Sequence, residues 1–247
     1  MGEKTVNLLW TGGWDSTFRL LDLLLVRSNP VQPYYIIDPD RRSLSMEIET
    51  MGRIRRKLNE LFPDSIHLLR PVIMFQIDDI PPDHEISEKL NRLRSMNHIG
   101  MQYEWLARFA RQFGPANLDI GIEKGPASLG VNWFLQGHLH FEEESSGNGT
   151  WVLNDSERAT DLSLFQYFSF PLFGITKSRM REVAFDKGFL EIMNMTWFCL
   201  SPIFGKPCGM CHPCSIVMNV GLKDRIAMMA RFRYHLKKMI RSIFPQG

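Results

Sequence analysis

The four cysteines of this chain are its densest group of chemically reactive side chains. They follow the spacing C-x8-C-x2-C-x2-C at Cys199, Cys208, Cys211 and Cys214. Two short chelate loops and one longer return give four thiolates, a set suited to tetrahedral zinc. Four thiolates could also hold an iron–sulfur cluster, and a CxxC pair could be redox active. A disulfide staple needs no such crowding, so the first expectation is a zinc site.

A second group of reactive residues lies near the amino end, in the segment TGGWDST. Its candidate ligand-binding residues are Thr11, Gly12, Gly13, Asp15, Ser16 and Thr17. Glycines let the backbone approach a ligand, and the N–H groups that open a helix attract an anion. The hydroxyls add donors, and Asp15 could hold a magnesium-bound water or orient the loop. The dinucleotide pattern GxGxxG and the pattern GxxxxGK[ST] are both absent, so a phosphate loop of another kind is expected.

Lys177 is a third candidate. Thr176 is expected to cap a helix that stops at Gly188, which places Lys177 on the first turn. A helix dipole favours anions at that end, so a phosphate partner would explain the lysine. The alternative is a solvated surface lysine.

These residues need elements to position them, and the hydrophobic pattern predicts alternating strands and helices. Strands are expected at residues 5–10, 34–38, 66–74 and 118–122, the third interrupted by Pro71. The alternation predicts an α/β fold, with a mostly parallel sheet and helices on both faces. Ligands of such sheets bind at the carboxyl ends of the strands. The acidic, glycine-rich stretch 142–149 is expected to be an exposed loop.

Composition excludes several classes of protein. The 247 residues are 44% hydrophobic and 23% charged, as expected for a globular protein and not for a disordered or fibrous one. The formal net charge of +2 gives no overall field for nucleic acid or membranes. No apolar run approaches the roughly 18 residues of a membrane span, so a cytoplasmic protein that does not contact membranes is expected. The basic and aromatic tail 231–242 predicts an amphipathic helix or an RNA contact.

Longer motifs carry a resemblance to a known family. The segment TGGWDST is similar to the SGGxDS signature of the PP-loop ATP pyrophosphatases, with Thr11 in place of serine. The span 170–199, FPLFGITKSRMREVAFDKGFLEIMNMTWFC, followed by GKPCGMCHPC, resembles the carboxyl part of the 7-cyano-7-deazaguanine synthases within that family. The segment HIGMQYEWLARFA is also similar. The resemblance covers most of the chain, and covers residues 75–97 and 138–165 poorly.

The resemblance implies a fold, a division of the chain and a set of ligands. The fold would be the Rossmann-like adenine nucleotide alpha-hydrolase type, with a C-terminal zinc-binding segment. Residues 1–195 would form a PP-loop ATP-binding domain, and residues 196–247 a four-cysteine zinc segment and helix packed on it. The cofactors would be ATP, Mg²⁺ and Zn²⁺. The glycine loop would cradle the phosphates, and Asp15 and Lys177 would be catalytic. Asp38 would hold the adenosine, or else be a turn residue before Pro39.

The implied activity is that of an ATP-dependent carbon–nitrogen ligase. It would adenylate a small carboxylate, 7-carboxy-7-deazaguanine or a related acid, for attack by ammonia or another amine. A homodimer is also implied.

The chain departs from the family where the substrate would bind. It has DPDRR where the family usually reads DYGQRH, and IGMQ where the family has PGRN. Because the ATP motifs are kept more completely, the identity of the acid stays open. Two alternatives remain: a PP-loop enzyme that modifies a tRNA base or a protein end group, and a non-catalytic nucleotide-binding subunit.

Overall fold

The computed structural model describes residues 5–114, 117–125, 130–143, 149–219 and 222–243. The strands are β1 Val6–Leu9, β2 Val31–Ile37, β3 Ile73–Gln76, β4 Leu118–Asp119, β5 Leu139–Glu143, β6 Gly149–Leu153 and β7 Phe168–Ser169. The helices are α1 Trp14–Leu21, α2 Leu44–Leu61, α3 His84–Met96, α4 Gln102–Gln112, α5 Gly130–Leu135, α6 Lys177–Asp186, α7 Leu190–Asn194, α8 His212–Asn219 and α9 Met228–Ile243.

Five of the strands form one parallel sheet in the order β3-β2-β1-β4-β7. Successive side chains of a strand point to opposite faces, and both faces of this sheet are covered. Leu8 of β1 packs in a core with Phe18 of α1 and Leu58 of α2. The neighbouring Leu9 packs against a second core that contains Phe109 of α4. The predicted α/β fold with a parallel sheet and helices on both faces is therefore confirmed.

The prediction of a third strand at residues 66–74 is wrong in position. Residues Pro63–Leu68 form a 3-10 helix, and the strand begins at Ile73, where it pairs with Tyr34 of β2. Pro71 has no N–H to give to a ladder, so regular pairing starts only after it.

The prediction of a loop at 142–149 is also wrong where the structure describes it. Glu142 and Glu143 belong to β5, which pairs antiparallel with β6 from Gly149 onward. Residues 144–148 lie outside the described residues. The ring centroids of Phe141 and Trp151 lie 5.5 Å apart across the hairpin. Cross-strand pairs of this kind stabilise a strand despite its acidic composition.

The C-terminal segment shares a core with the first part of the chain. Cys199, Val217 and Ile226 are buried in the same cluster as Leu8 of β1 and Trp10, which follows that strand. The division at residue 195 stays a prediction, since one continuous core lies on both sides of it. Among the described helices, none combines the length and the apolar character that crossing a bilayer requires.

Candidate functional site

Two glycines shape the turn between β1 and α1. Gly12 has a φ of +68°, and a β-carbon there would stand 3.3 Å from the carbonyl oxygen of Glu47. Gly13 immediately precedes α1 in extended conformation, and no side chain among the described residues caps the helix at this point. The first four N–H groups of an α-helix have no acceptor within the helix. The start of α1 therefore keeps the open donors that an anion requires.

The hydroxyls of this turn have different roles. The Thr11 N–H donates to Ser16 Oγ at 3.3 Å, and the two hydroxyl oxygens also lie 3.3 Å apart. Thr17 is fully buried, and its Oγ1 accepts a 3.0 Å bond from Trp10 Nε1. Thr17 thus anchors α1 to the strand behind the turn.

A cavity of about 430 Å³ lies in front of the turn. It is lined by Thr11, Gly13, Trp14, Asp15, Arg41, Glu47, Gln102, Glu123, Lys177, Trp197, Phe198, Leu200, Pro213, Ile216, Val217, Leu222 and Arg225. The structure thus brings together four of the predicted site residues, namely Thr11, Gly13, Asp15 and Lys177. Gly12, Ser16 and Thr17 are not among its described lining residues.

Lys177 meets the turn as part of an ion cluster. Thr176 caps α6, as predicted, by accepting a 3.2 Å bond from the Arg179 N–H. On the first turn of that helix, Lys177 Nζ donates to both carboxylate oxygens of Asp15, at 2.9 and 3.1 Å. It also forms an ion pair with Glu123.

The charged groups of this cluster shift one another's pKa values. Burial, and then the charge of Asp15, raise the pKa of Glu123. Burial lowers the pKa of Lys177, but Asp15 and Glu123 outweigh burial and leave that pKa raised. The two acidic side chains therefore stabilise the charged form of Lys177.

Asp38 is not among the described residues that line the cavity. Its Oδ1 accepts a 3.1 Å bond from the Asp40 N–H, which is the turn role that an aspartate before proline often has. The loop after β2 instead delivers Arg41 to the cavity, where it pairs with Glu47 at 3.2 Å. A role of Asp38 in binding adenosine stays a prediction without a described contact to the cavity.

Glu123, Arg225 and Trp197 are among the lining residues that the sequence did not predict. Glu123 follows β4 at the carboxyl end of the sheet, and that position was a usable signal. Arg225 and Trp197 carried no such signal, because they belong to the C-terminal segment and reach the cavity only through tertiary packing.

Trp14 packs into the wall of the cavity. Its side chain is 5% exposed, and the guanidinium carbon of Arg225 lies 5.1 Å from the centroid of its ring. The same guanidinium lies 5.1 Å from the ring of Phe198. Arg225 is thus held between two aromatic faces.

The four cysteines converge as predicted. Their sulfur atoms all lie within 4.8 Å of one another, and the pairs Cys208–Cys214 and Cys199–Cys211 are each 3.9 Å apart. Zn–S bonds of about 2.3 Å in a tetrahedron place the sulfurs roughly 3.8 Å apart. Backbone N–H groups of Met210 and Cys211 point at the sulfur of Cys208, at 3.2 and 3.3 Å, as they do toward thiolates. The cluster can bind a metal such as zinc.

The cysteine cluster and the cavity are connected through Trp197. The Trp197 N–H donates to the carbonyl oxygen of Gly12 at 2.9 Å, and its Nε1 donates to that of Cys199 at 2.7 Å. Trp197, which lines the cavity, is therefore bonded to the glycine turn through its main chain and to the carbonyl of a cysteine of the cluster through its side chain.

Comparison with known proteins adds no assignment: no family model matches the sequence, and no curated protein matches it. The chemistry of the chain must be argued from the cavity and from the four cysteines.

Proposed function

We propose that the chain is an ATP-dependent ligase of the PP-loop type. It would activate a carboxylate as its adenylate, so that ammonia or another amine can displace AMP. The observation that carries this proposal is the contact between Asp15 and Lys177. These residues are 162 positions apart and meet at the uncapped start of α1.

The start of α1 suits a triphosphate. Its open N–H groups and the helix dipole favour anionic oxygens. Asp15 and Glu123 offer the carboxylate oxygens that Mg²⁺ prefers, and the ion would supply positive charge to the phosphates when bound. Lys177 lies between these carboxylates, so its ammonium is close to the place where the charge of departing pyrophosphate has to be neutralised.

In this reaction the main task of the protein is to align the reactants. A carboxylate is a poor electrophile because resonance and its charge repel nucleophiles. When its oxygen attacks the α-phosphorus of ATP, the bond to pyrophosphate breaks and an acyl adenylate with a good leaving group forms. The amine then attacks the acyl carbon and AMP leaves. Holding the reactants in line accounts for much of the rate in such reactions.

The four cysteines would hold Zn²⁺ in a structural role. All four ligand positions would be thiolates, which leaves no open position for a reactant. The ion would supply folding free energy and fix Trp197 and Phe198 in the cavity wall.

Resemblance to the 7-cyano-7-deazaguanine synthases suggests which acid to test first. Purified protein is incubated with ATP, Mg²⁺, 7-carboxy-7-deazaguanine and ammonia, and products are followed by mass spectrometry. The proposal expects AMP and pyrophosphate to form only when an acid is present, together with an amide or nitrile of that acid. Binding of ATP without product from any acid or amine would favour a non-catalytic nucleotide-binding subunit.

One observation favours a second acceptor class. Helix α9 exposes Phe232 and Leu236 together with the cation Lys238, a pattern that RNA-binding helices share. A tRNA acceptor would require RNA binding that weakens steeply with salt. Transfer of the acyl group to RNA instead of ammonia would identify this alternative.

A further inference from the structure

Arg225 carries hydrogen-bond donors that nothing in the described part of the chain accepts. A guanidinium has five N–H donors. Nη2 uses its two hydrogens on Thr196, one on the carbonyl oxygen and one on Oγ1 at 2.7 Å. Nε and Nη1 are buried and have no acceptor among the described residues. Three buried donors of this guanidinium thus have no acceptor among the described residues.

The surroundings of Arg225 do not compensate for its charge. The faces of Trp14 and Phe198 attract a cation, but they accept no bond in the plane of the guanidinium. The carboxylates that line the cavity are already engaged, Glu47 with Arg41 and the other two with Lys177. Burial lowers the pKa of Arg225 to about 10, so the group stays charged at neutral pH.

Buried N–H donors of a charged group are costly when no counter-charge faces them, and a ligand that supplies the missing charge would remove that cost. A second unpartnered donor lies beside it, because Trp14 Nε1 is buried without an acceptor among the described residues. Both side chains line the cavity that contains Asp15 and Lys177.

We propose that Arg225 is the anion-recognising residue of this cavity, where Nε and Nη1 bind an oxyanion of the ligand and Trp14 Nε1 adds a further donor. The oxyanion is the carboxylate of the acceptor acid or a phosphate of the nucleotide. The choice between these two sources rests on the proposed function, whereas the presence of an anion site does not. The ring of Trp197 also lines the cavity and suits a ligand with a flat ring.

The decisive experiment is an NMR titration of the ¹⁵N-labelled protein. Four probes are added separately up to tens of millimolar: benzoate, the uncharged benzamide of the same shape, inorganic phosphate, and ATP with Mg²⁺. The proposal expects saturable shifts of the Arg225 Nε–H and Trp14 Nε1–H resonances with at least one anion, and none with benzamide. A response to benzoate identifies a carboxylate site, and a response only to phosphate or ATP identifies a phosphate site.

Two variants provide a matched comparison. Arg225→Met removes the guanidinium, and Arg179→Met removes an exposed arginine of α6 that pairs only with Glu182 among the described residues. Loss of charge-assisted bonds predicts that the Kd of the active anion rises about 10- to 100-fold in Arg225→Met and stays unchanged in Arg179→Met. If Arg225→Met does not fold, Arg225→Lys takes its place, because lysine keeps the charge and loses the planar fork.

Several results would overturn the proposal. They are unchanged Arg225 and Trp14 resonances with every anion, an equal response to benzamide, and unchanged anion affinity in the Arg225 variant. Failure of the proposed function has a different signature, since ATP would then leave the backbone amides of Trp14, Asp15 and Ser16 unshifted while an anion still moves Arg225.

Discussion

Lys177 is the residue at which the two halves of the proposed nucleotide site meet. Its contacts with Asp15 and Glu123 tie the first turn of α6 to the glycine turn and to the end of β4. A lysine that is merely solvated would make neither contact. The ion cluster therefore gives this residue a defined position, from which a phosphate can compete for its ammonium.

Replacing Lys177 by alanine should reduce ATP-dependent release of pyrophosphate about 10²- to 10³-fold, the usual cost of losing one electrostatic contact to developing charge. The turnover is measured with ATP, Mg²⁺ and the active acid. Lys187→Ala is the matched control, because Lys187 is an exposed lysine just after the same helix. Equal turnover in both variants would show that Lys177 has no catalytic role.

The raised pKa of Glu123 predicts that the stability of the protein depends on pH. Its raised pKa means that folding favours the protonated form. The associated stability is present below the unfolded value of 4.5 and is lost as the pH rises through the folded value. Without metal or nucleotide, Glu123→Gln should therefore raise the free energy of unfolding at pH 7, and the gain should shrink toward pH 4.

Denaturant unfolding at both pH values measures this effect. Glu157→Gln is a control of opposite sign, because the hydrogen bond from His138 lowers the pKa of Glu157. That variant should be less stable than the parent at pH 7. A loss of stability at pH 7 in Glu123→Gln would show that the ion pair with Lys177 outweighs burial.

At the scale of elements, the cysteine turn and α9 fit together through a glycine. Gly209 has a φ of +78°, and a β-carbon there would overlap the carbonyl oxygen of Ala230 in α9. The turn that presents Cys208 and Cys211 can therefore pack on α9 only when this position has no side chain.

Gly209→Ala should destabilise the protein more than backbone strain alone would. Gly188 is the matched control, since it has the same φ of +78° and no atom within 4 Å of an added β-carbon. Strain of a left-handed alanine costs roughly 1–2 kcal/mol. We expect about that loss in Gly188→Ala and a larger one in Gly209→Ala, both measured by thermal or denaturant unfolding. Equal losses would contradict the close packing of α9 on the turn.

At the scale of the whole molecule, the metal cluster and the cavity should respond together. Cys199 lies in the same core as the sheet, and Trp197 joins it to the glycine turn. Structural zinc contributes on the order of 10 kcal/mol in small zinc peptides. Its removal is therefore comparable with the whole stability of a typical domain.

Chelation should release about one equivalent of zinc, lower the Tm, and weaken binding of ATP or of the active anion. Metal analysis of the purified protein distinguishes zinc from iron, and readdition of zinc should restore both properties. If the Tm and the affinity stay unchanged after complete removal of the metal, a bound metal is not needed to hold Trp197 and Phe198 in place.

Sequence alone predicted the α/β alternation with a parallel sheet, the convergence of the four cysteines, and the helix that begins at Lys177 after Thr176. These features depend on neighbours along the chain, namely hydrophobic period, cap residues and short chelate loops. It misplaced the third strand because Pro71 delays pairing, and it missed the hairpin because pairing across β5 and β6 outweighed their acidic composition.

Only the tertiary structure decided which groups face the cavity. Tertiary packing joins Glu123 to Lys177, places Arg41 at the cavity, and sets Arg225 between Trp14 and Phe198. The physical reason is that such contacts link residues from distant parts of the chain. Their geometry follows from how helices pack on both faces of the sheet, which the local spacing of residues does not encode.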